Sequence, residues 1–113
     1  MKVIVLTVSE LVKTCEFEAI VLPEADREVS GCYIGDLLSW VMGRAKADSA
    51  WITIMSNINI VAVAALTDVA CIILSEGVTV DENVKSTAEA KGVNILMSKM
   101  PSYETAKAIS DKV

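Results

Sequence analysis

The sequence predicts an α/β fold, a three-layer α/β/α arrangement with a mostly parallel or mixed sheet. Short apolar segments alternate with helical segments along the whole chain, as in parallel sheets with helices on both faces. The apolar segments are continuous, which is typical of strands buried on both faces. The hydrophobic fraction of 53% in 113 residues indicates one domain, residues 1–113, with a substantial core.

The first third of the chain predicts three strands and a short helix. The run Val3–Val8 is typical of a buried strand, and Ser9 has the side chain of an N-cap. The polar segment Pro23–Ser30 predicts a loop. The other elements are predicted at residues 10–15 (helix), 17–22 (strand) and 32–34 (strand).

The remaining two thirds predict helices and strands in alternation. Asp36 is placed to cap the first of these helices, and Asp81 or Thr79 to cap a later helix that Gly92 ends. The strands are predicted at residues 51–55, 69–74 and 93–97, and the two other helices at residues 58–66 and 103–112. Three residues of the last helix have core spacing: Tyr103, Ala106 and Ile109.

Charge and composition exclude several classes of protein. The net charge is −5 and the ten Lys and Arg residues are scattered, which excludes a nucleic-acid interface. The longest apolar run, Ile60–Leu66, is far shorter than the roughly 20 residues that cross a bilayer, so no membrane association is predicted. The absence of a signal peptide and the restrained use of cysteine indicate a cytoplasmic protein. The large apolar fraction predicts a homo-oligomer, which would cover surface that one small domain cannot bury.

The sequence contains no recognisable catalytic set. It has no histidine, no G-x-x-x-x-G-K-[ST] phosphate loop and no G-x-G-x-x-G motif. Its three cysteines are widely spaced, so they offer no metal site. We therefore predict no enzymatic activity, no metal and no cofactor.

Three further residues have structural interpretations that we favour over functional ones. Cys71 lies in an apolar strand and is predicted to be a small buried hydrophobic residue. Trp40 and Trp51 could stack on a base, but packing in the core or at a dimer interface is the stronger interpretation.

Two polar breaks and one aspartate predict where a ligand would bind. Small polar residues follow two predicted strands: Ser56, Asn57 and Asn59 after one, and Ser75, Glu76 and Gly77 after the next. Ligands of parallel sheets bind outside the carboxyl ends of strands, near helix N-termini that have free backbone N–H groups. Both breaks also have a structural interpretation, because Asn57 can cap a helix and Gly77 can make a turn. Asp36 likewise can hold a ligand hydroxyl or cap its own helix.

Five segments carry a resemblance to a known family: Gly35–Ser39, Trp51–Ile54, Asn59–Ala64, Ile72–Leu74 and Lys91–Leu96. Their order resembles the DRTGG domain, which is similar to the N-terminal domain of HPr kinase/phosphorylase. That domain also occurs within some phosphotransacetylases and CBS-domain pyrophosphatases. The chain is most similar to stand-alone members associated with iron-only hydrogenases or named as HPr kinases.

The family signature is replaced at both polar turns. The family places Asp-Arg at the first turn and Thr-Gly-Gly at the second. This chain has Ser56-Asn57 and Ser75-Glu76-Gly77 at those places, so only Gly77 matches. The pair Asp26-Arg27 lies elsewhere and is not equivalent to the signature.

The residues and the resemblance together lead to three hypotheses of function. The first is a non-catalytic regulatory module, a homodimer that senses a small polar or nucleotide-like ligand and modulates a partner enzyme, by resemblance a hydrogenase or kinase system. The second is a structural scaffold whose polar turns only cap helices. The third is an uncharacterised enzyme that uses Asp36 or Glu76. Kinase activity is not implied, because in that family it resides in a separate domain with a phosphate loop.

Overall fold

A computed structural model describes residues 6–113, so the predicted strand residues Val3 to Val5 lie outside the described part. The described residues form seven strands: β1 (Leu6–Thr7), β2 (Glu18–Val21), β3 (Glu28–Val29), β4 (Cys32–Ile34), β5 (Ala50–Thr53), β6 (Cys71–Leu74) and β7 (Ile95–Met97). The same residues form five helices: α1 (Val8–Cys15), α2 (Leu38–Arg44), α3 (Asn59–Thr67), α4 (Glu82–Lys91) and α5 (Ser102–Ile109).

Five of the strands form the main sheet, in the order β2-β7-β6-β5-β4. The strands β4 to β7 are parallel and lie side by side in chain order, whereas β2 pairs with β7 in antiparallel orientation. The register places Trp51 between Tyr33 of β4 and Ile72 of β6. The prediction of a mostly parallel or mixed sheet is confirmed.

Helices cover both faces of this sheet and give the three layers. The face of Trp51 and Ile72 packs against α2, α3 and α4, where Val41, Ile60 and Val84 are buried. The opposite face packs against α1 and α5 in a second core cluster: Val8, Leu11, Ala50, Ile52, Cys71, Ile73, Leu96 and Ile109. Three helices on one face follow from parallel strands in chain order, since each right-handed crossover returns on the same side.

The central strands are buried as their continuous apolar sequences predict. Every residue of β5, β6 and β7 is buried. Cys71 is completely buried, which confirms its interpretation as a small hydrophobic residue. Trp51 is also completely buried and donates its indole N–H to the Gly35 carbonyl at 2.9 Å. No helix within residues 6–113 is long and apolar enough to span a bilayer.

The N-terminal prediction was wrong in three respects. The structure begins α1 at Val8, one residue before the predicted cap Ser9, because Thr7 and Glu10 form a capping box. The described end of the predicted first strand, Leu6–Thr7, does not join the main sheet. It pairs with Glu28–Val29 in a separate two-stranded sheet, so the predicted loop 23–30 contains a strand.

The capping residues of α4 agree with the prediction, but the buried face of α5 differs from it. Asp81 caps α4 by accepting from the Val84 amide, and Gly92 ends it in the left-handed conformation, as predicted. In α5, however, Tyr103 is 70% exposed, so its predicted core role was wrong. The buried positions are Thr105 and Ile109, four residues apart, because the Thr105 hydroxyl bonds to Ser98 beneath the helix.

Candidate functional site

The predicted site residues all lie at one edge of the main sheet. Strands β4, β5 and β6 are parallel, so the segments that follow them emerge side by side. Asp36 follows β4, the segment Ser56–Asn59 follows β5, and the segment Ser75–Gly77 follows β6. We call this region the carboxyl edge. Its three polar segments differ in how many of their polar groups already form hydrogen bonds within the protein.

Asp36 joins the ends of two strands and does not cap a helix, so the capping interpretation was wrong. The N-cap of α2 is Leu37, which makes no side-chain capping bond. The Asp36 carboxylate instead accepts from the Thr53 hydroxyl at 2.8 Å and from the Ile54 amide at 3.0 Å. Because Thr53 is only 1% exposed, its hydroxyl needs a protein partner, and Asp36 provides it.

The turn after β6 is almost fully used by internal hydrogen bonds. Ser75 is completely buried, and its hydroxyl lies 2.7 Å from that of Ser102. The Glu76 amide donates to the Met100 carbonyl and the Gly77 amide to the Ser98 carbonyl. Both residues have positive φ, 60° and 70°, which aims these two N–H groups at the loop after β7. The Glu76 side chain does not take part in these bonds, and Glu76 is exposed to solvent.

The turn between β5 and α3 is the most open of the three. Ser56, Asn57 and Asn59 are exposed. The Asn57 side-chain oxygen accepts from the Asn59 amide at 2.9 Å, so Asn57 does help to begin α3. The backbone N–H groups of Ser56, Asn57 and Ile58 donate to no acceptor within residues 6–113. This helix N-terminus therefore has the free donors that favour polar or anionic groups.

The strand connections change face between β6 and β7. The chain leaves β5 and β6 towards α3 and α4 on one face, whereas it leaves β7 towards α5 on the other. Such a change of direction usually opens a ligand crevice between the two strand ends. Here the bonds of Glu76 and Gly77 to the loop after β7 close it.

The sequence interpretation missed the hydroxyl residues that seal this crevice. Ser98 and Thr105 are buried, and their hydroxyls lie 2.8 Å apart. Ser102 faces Ser75 as described above. The signal available in the sequence was the spacing of Ser98, Ser102 and Thr105 around the start of α5. The partner of Ser102 is Ser75, which follows β6 and lies 27 positions earlier, so this pairing was not evident.

Beyond β7, the same edge has a cavity of about 250 Å³. The segments Cys15–Glu18 and Met97–Met100 line it. Glu16, Glu18 and Lys99 are its charged residues. Partial burial raises the pKa of the Cys15 thiol, which therefore stays protonated near neutral pH.

The two tryptophans have different environments. Trp51 belongs to the core, as described above, but Trp40 on α2 is 52% exposed. The Arg44 guanidinium lies over the Trp40 ring, 3.9 Å from its centre. Trp40 is therefore a surface residue.

The carboxyl edge presents several hydrogen-bonding groups to solvent. Within residues 6–113, no three His, Cys, Asp or Glu side chains converge as metal ligands would. The groups at this edge that face solvent include backbone amides, the side chains of Ser56, Asn57 and Asn59, and the carboxylates of Asp36 and Glu76. These groups can hold a polar ligand through hydrogen bonds.

The chain has recognisable relatives. The family model of the DRTGG domain matches residues 10–111. A similar solved structure is the CBS and DRTGG domains of the regulatory region of Clostridium perfringens pyrophosphatase, complexed with the activator diadenosine tetraphosphate. It shares 15% identity with this chain at a TM-score of 0.73. The match covers 88% of this chain but only 44% of that one, and the likeness concerns the fold. No curated sequence matches the chain. Because the family model covers nearly all of it, the chain belongs to the DRTGG domain family.

Proposed function

We propose that residues 1–113 act as one cytoplasmic, non-catalytic regulatory module that senses a small polar or nucleotide-like ligand. The module forms a homodimer and modulates a partner enzyme. The observation that carries this proposal is the open turn before α3, where three backbone N–H groups have no acceptor within residues 6–113. An anionic or polar group of the ligand binds there.

The neighbouring segments complete the proposed site. The side chains of Ser56, Asn57 and Asn59 border the free amides, and Asp36 lies at the end of the adjacent strand. Only one Asp36 oxygen, Oδ1, is engaged by Thr53 and Ile54, so Oδ2 is available to accept from a ligand hydroxyl. Glu76 offers a second carboxylate. Ser75 and Gly77 support the site from beneath, since their polar groups are internally bonded.

The pyrophosphatase supports this proposal in two respects. There, CBS and DRTGG domains form a regulatory region of an enzyme, and that region is complexed with a dinucleotide activator. A regulatory role and a nucleotide-like ligand are therefore reasonable for this chain. Its partner enzyme, by the resemblance to HPr kinase-like and hydrogenase-associated proteins, is a hydrogenase or a kinase system. Without the Asp-Arg signature, ligand contacts in this chain run through the amides and Ser56-Asn57.

Thermal unfolding in the presence of candidate ligands tests the proposal. Diadenosine tetraphosphate, ATP, AMP and acetyl phosphate are added separately, each at millimolar concentration. A ligand present at 100 times its dissociation constant stabilises the native state by about 2.7 kcal/mol. For a chain of this length, that corresponds to a rise in Tm of roughly 10 °C.

A matched pair of variants locates the site. Ser56→Asp places a carboxylate beside the free amides and should abolish the Tm rise caused by a phosphate ligand. Ser9→Asp makes the same change in the first turn of α1, on the other face of the sheet, and should leave the rise intact. An equal rise in both variants would exclude the turn before α3 as the site.

The other two hypotheses predict different results. A stable dimer whose Tm no metabolite changes would favour the structural scaffold. Turnover in a general phosphatase or kinase screen would contradict the non-catalytic assignment and favour the enzyme.

A further inference from the structure

The outward face of α3 is apolar although it is exposed. Every side chain from Ile60 to Leu66 is aliphatic, and residues 54–67 include no charged residue. The helix buries one side against the sheet but leaves Ala62, Ala65 and Leu66 in solvent. Leu66 is 72% exposed. A helix on the surface of a monomer usually has polar residues on its outer face, so this helix is typical of one that another surface covers.

Three of these residues form a symmetric stripe along the helix. Ile58, Ala62 and Leu66 are spaced four residues apart, which places them in one row on the same side. Ile58 has helical backbone angles, φ −60° and ψ −24°, and it is 37% exposed. The row therefore has a large side chain at each end and a small one in the middle. We call it the α3 stripe.

The α3 stripe borders a groove between α3 and α4. The groove encloses about 350 Å³, and Thr87 and Lys91 contribute to its wall from α4. Among the described residues that line the groove, Lys91 alone is charged. Most of the remaining lining is aliphatic, so apolar side chains from outside can pack against it.

We propose that α3 packs against α3 of a second copy of this chain, antiparallel and about a two-fold axis that passes Ala62. This inference rests on the proposed function, in which the module is a homodimer, and it locates the contact. In this arrangement Ala62 meets its own symmetry mate, and Leu66 of one copy lies beside Ile58 of the other. Rows of side chains spaced by four residues interdigitate at a crossing angle of about 50°, and alanine at the crossing point allows a close approach.

The α3 stripe is an uncharged part of the surface at which two copies can meet. Two copies with a net charge of −5 each repel one another over most of their surfaces. The α3 stripe has no charge that would oppose self-association. An uncharged stripe that is symmetric about its centre also meets the requirement of a two-fold interface, where the same patch faces itself.

The interface has to extend beyond α3 to be stable. A typical stable interface buries about 800 Å² of each partner, roughly an eighth of the 6160 Å² surface of this chain. The nine residues of α3 cannot supply that area alone. The neighbouring helix α2 adds exposed Trp40 and Met42 on the same layer. We therefore place these two residues at the border of the interface.

The first experiment compares two charge substitutions by sedimentation equilibrium. Ala62→Glu puts two carboxylates at the axis and should raise the dimer dissociation constant at least about 100-fold. Tyr103→Glu removes an exposed apolar side chain and adds the same charge on the opposite face of the sheet, so it should leave the dimer intact. Both positions are exposed, and circular dichroism should show native folding of each variant.

The second experiment tests the position of the axis. In Ala62→Cys, the two thiols face each other and oxidised glutathione should convert them to an intermolecular disulfide, releasing two molecules of reduced glutathione. Tyr103→Cys should not cross-link above the level of the wild-type chain, which has its own Cys15, Cys32 and Cys71. A monomeric wild type, an Ala62→Glu variant that dimerises normally, or no cross-link at position 62 would each overturn the proposal.

Failure of this inference can be distinguished from failure of the proposed function. If Ala62→Glu is a folded monomer and the ligand still raises its Tm, both ligand sensing and the α3 interface are supported. Ligand binding then does not depend on the dimer. If the α3 dimer forms but no ligand raises the Tm, the interface stands and ligand sensing is wrong. If a ligand binds and the dimer uses another surface, only this inference fails.

Discussion

Asp36 is expected to be a structural residue whose loss is measurable even without a ligand. In Asp36→Ala, the buried Thr53 hydroxyl and the Ile54 amide lose their common acceptor. A hydrogen bond to a charged group contributes about 1.5–3 kcal/mol, and an unsatisfied buried donor costs a similar amount. Water can replace the acceptor at Ile54, which is 45% exposed, but not at Thr53, which is 1% exposed. We expect Asp36→Ala to lower the free energy of unfolding by about 2–3 kcal/mol.

Urea unfolding measures this loss. With a denaturant slope of about 1.5 kcal/mol/M for a chain of this size, the midpoint should fall by roughly 1.5 M at unchanged slope. Asp36→Asn retains an acceptor oxygen and should lose only about 1 kcal/mol. Asp26→Ala is the matched control, because Asp26 is exposed and its side chain has no hydrogen-bond partner within residues 6–113.

A double-mutant cycle with Thr53→Val measures the interaction energy between Asp36 and Thr53. Once the Thr53 hydroxyl is absent, Asp36→Ala should cost at least about 1 kcal/mol less than it does in the wild type. A cost below about 0.5 kcal/mol for Asp36→Ala alone, or additive effects in the cycle, would refute the role of Asp36 as the link between the two strand ends.

Two further predictions concern the opposite edge of the sheet and the core. The Arg27 guanidinium forms ion pairs with the carboxylates of Asp48 and Asp68 at 3.0 and 2.9 Å. Arg27→Ala should therefore lower the free energy of unfolding by about 1 kcal/mol, measured by thermal unfolding, and the loss should be smaller at high salt. Burial raises the pKa of the Cys71 thiol from 9.0 to about 12. As the pH rises, the unfolded chain therefore loses this proton before the folded protein does. The stability that the protonated thiol contributes is complete below pH 9.0 and is lost as the pH rises towards 12. Urea midpoints between pH 8 and pH 10 should therefore decline less in Cys71→Ala than in the wild type, and equal declines would contradict this assignment.

The parallel sheet and its buried strands could be predicted from the sequence because their signals are local. A continuous apolar run such as Val69–Leu74 is sufficient to indicate a strand covered on both faces. Capping residues such as Asp81 and Gly92 also act within one turn of their own helix. These features need no knowledge of distant residues.

The N-terminal errors have a different physical origin. A β-branched run favours a strand, but the capping box of Thr7 and Glu10 begins a helix within that run. The short strand Glu28–Val29 has little strand signal of its own. It forms because it meets Leu6–Thr7, and a pairing between segments more than twenty positions apart cannot be inferred from either segment.

The candidate site shows the same division. The sequence was sufficient to indicate that the polar residues after β4, β5 and β6 lie at one edge, since strand direction and chain order determine this. The sequence could not show which of these residues face solvent and which form hydrogen bonds within the protein. Asp36 bonds to a residue 17 positions away, and Ser75 to one 27 positions away.

The sequence by itself therefore determined the alternation of strands and helices from β4 onward, the burial of the central strands and the edge of the sheet at which the polar segments lie. Only the tertiary structure decided which polar groups at that edge remain free. Its hydrogen bonds engage Ser75, Gly77 and one oxygen of Asp36, and they leave the amides before α3 without an acceptor among residues 6–113. The physical reason is that a buried polar group takes whichever partner the fold brings near, whatever their separation along the chain.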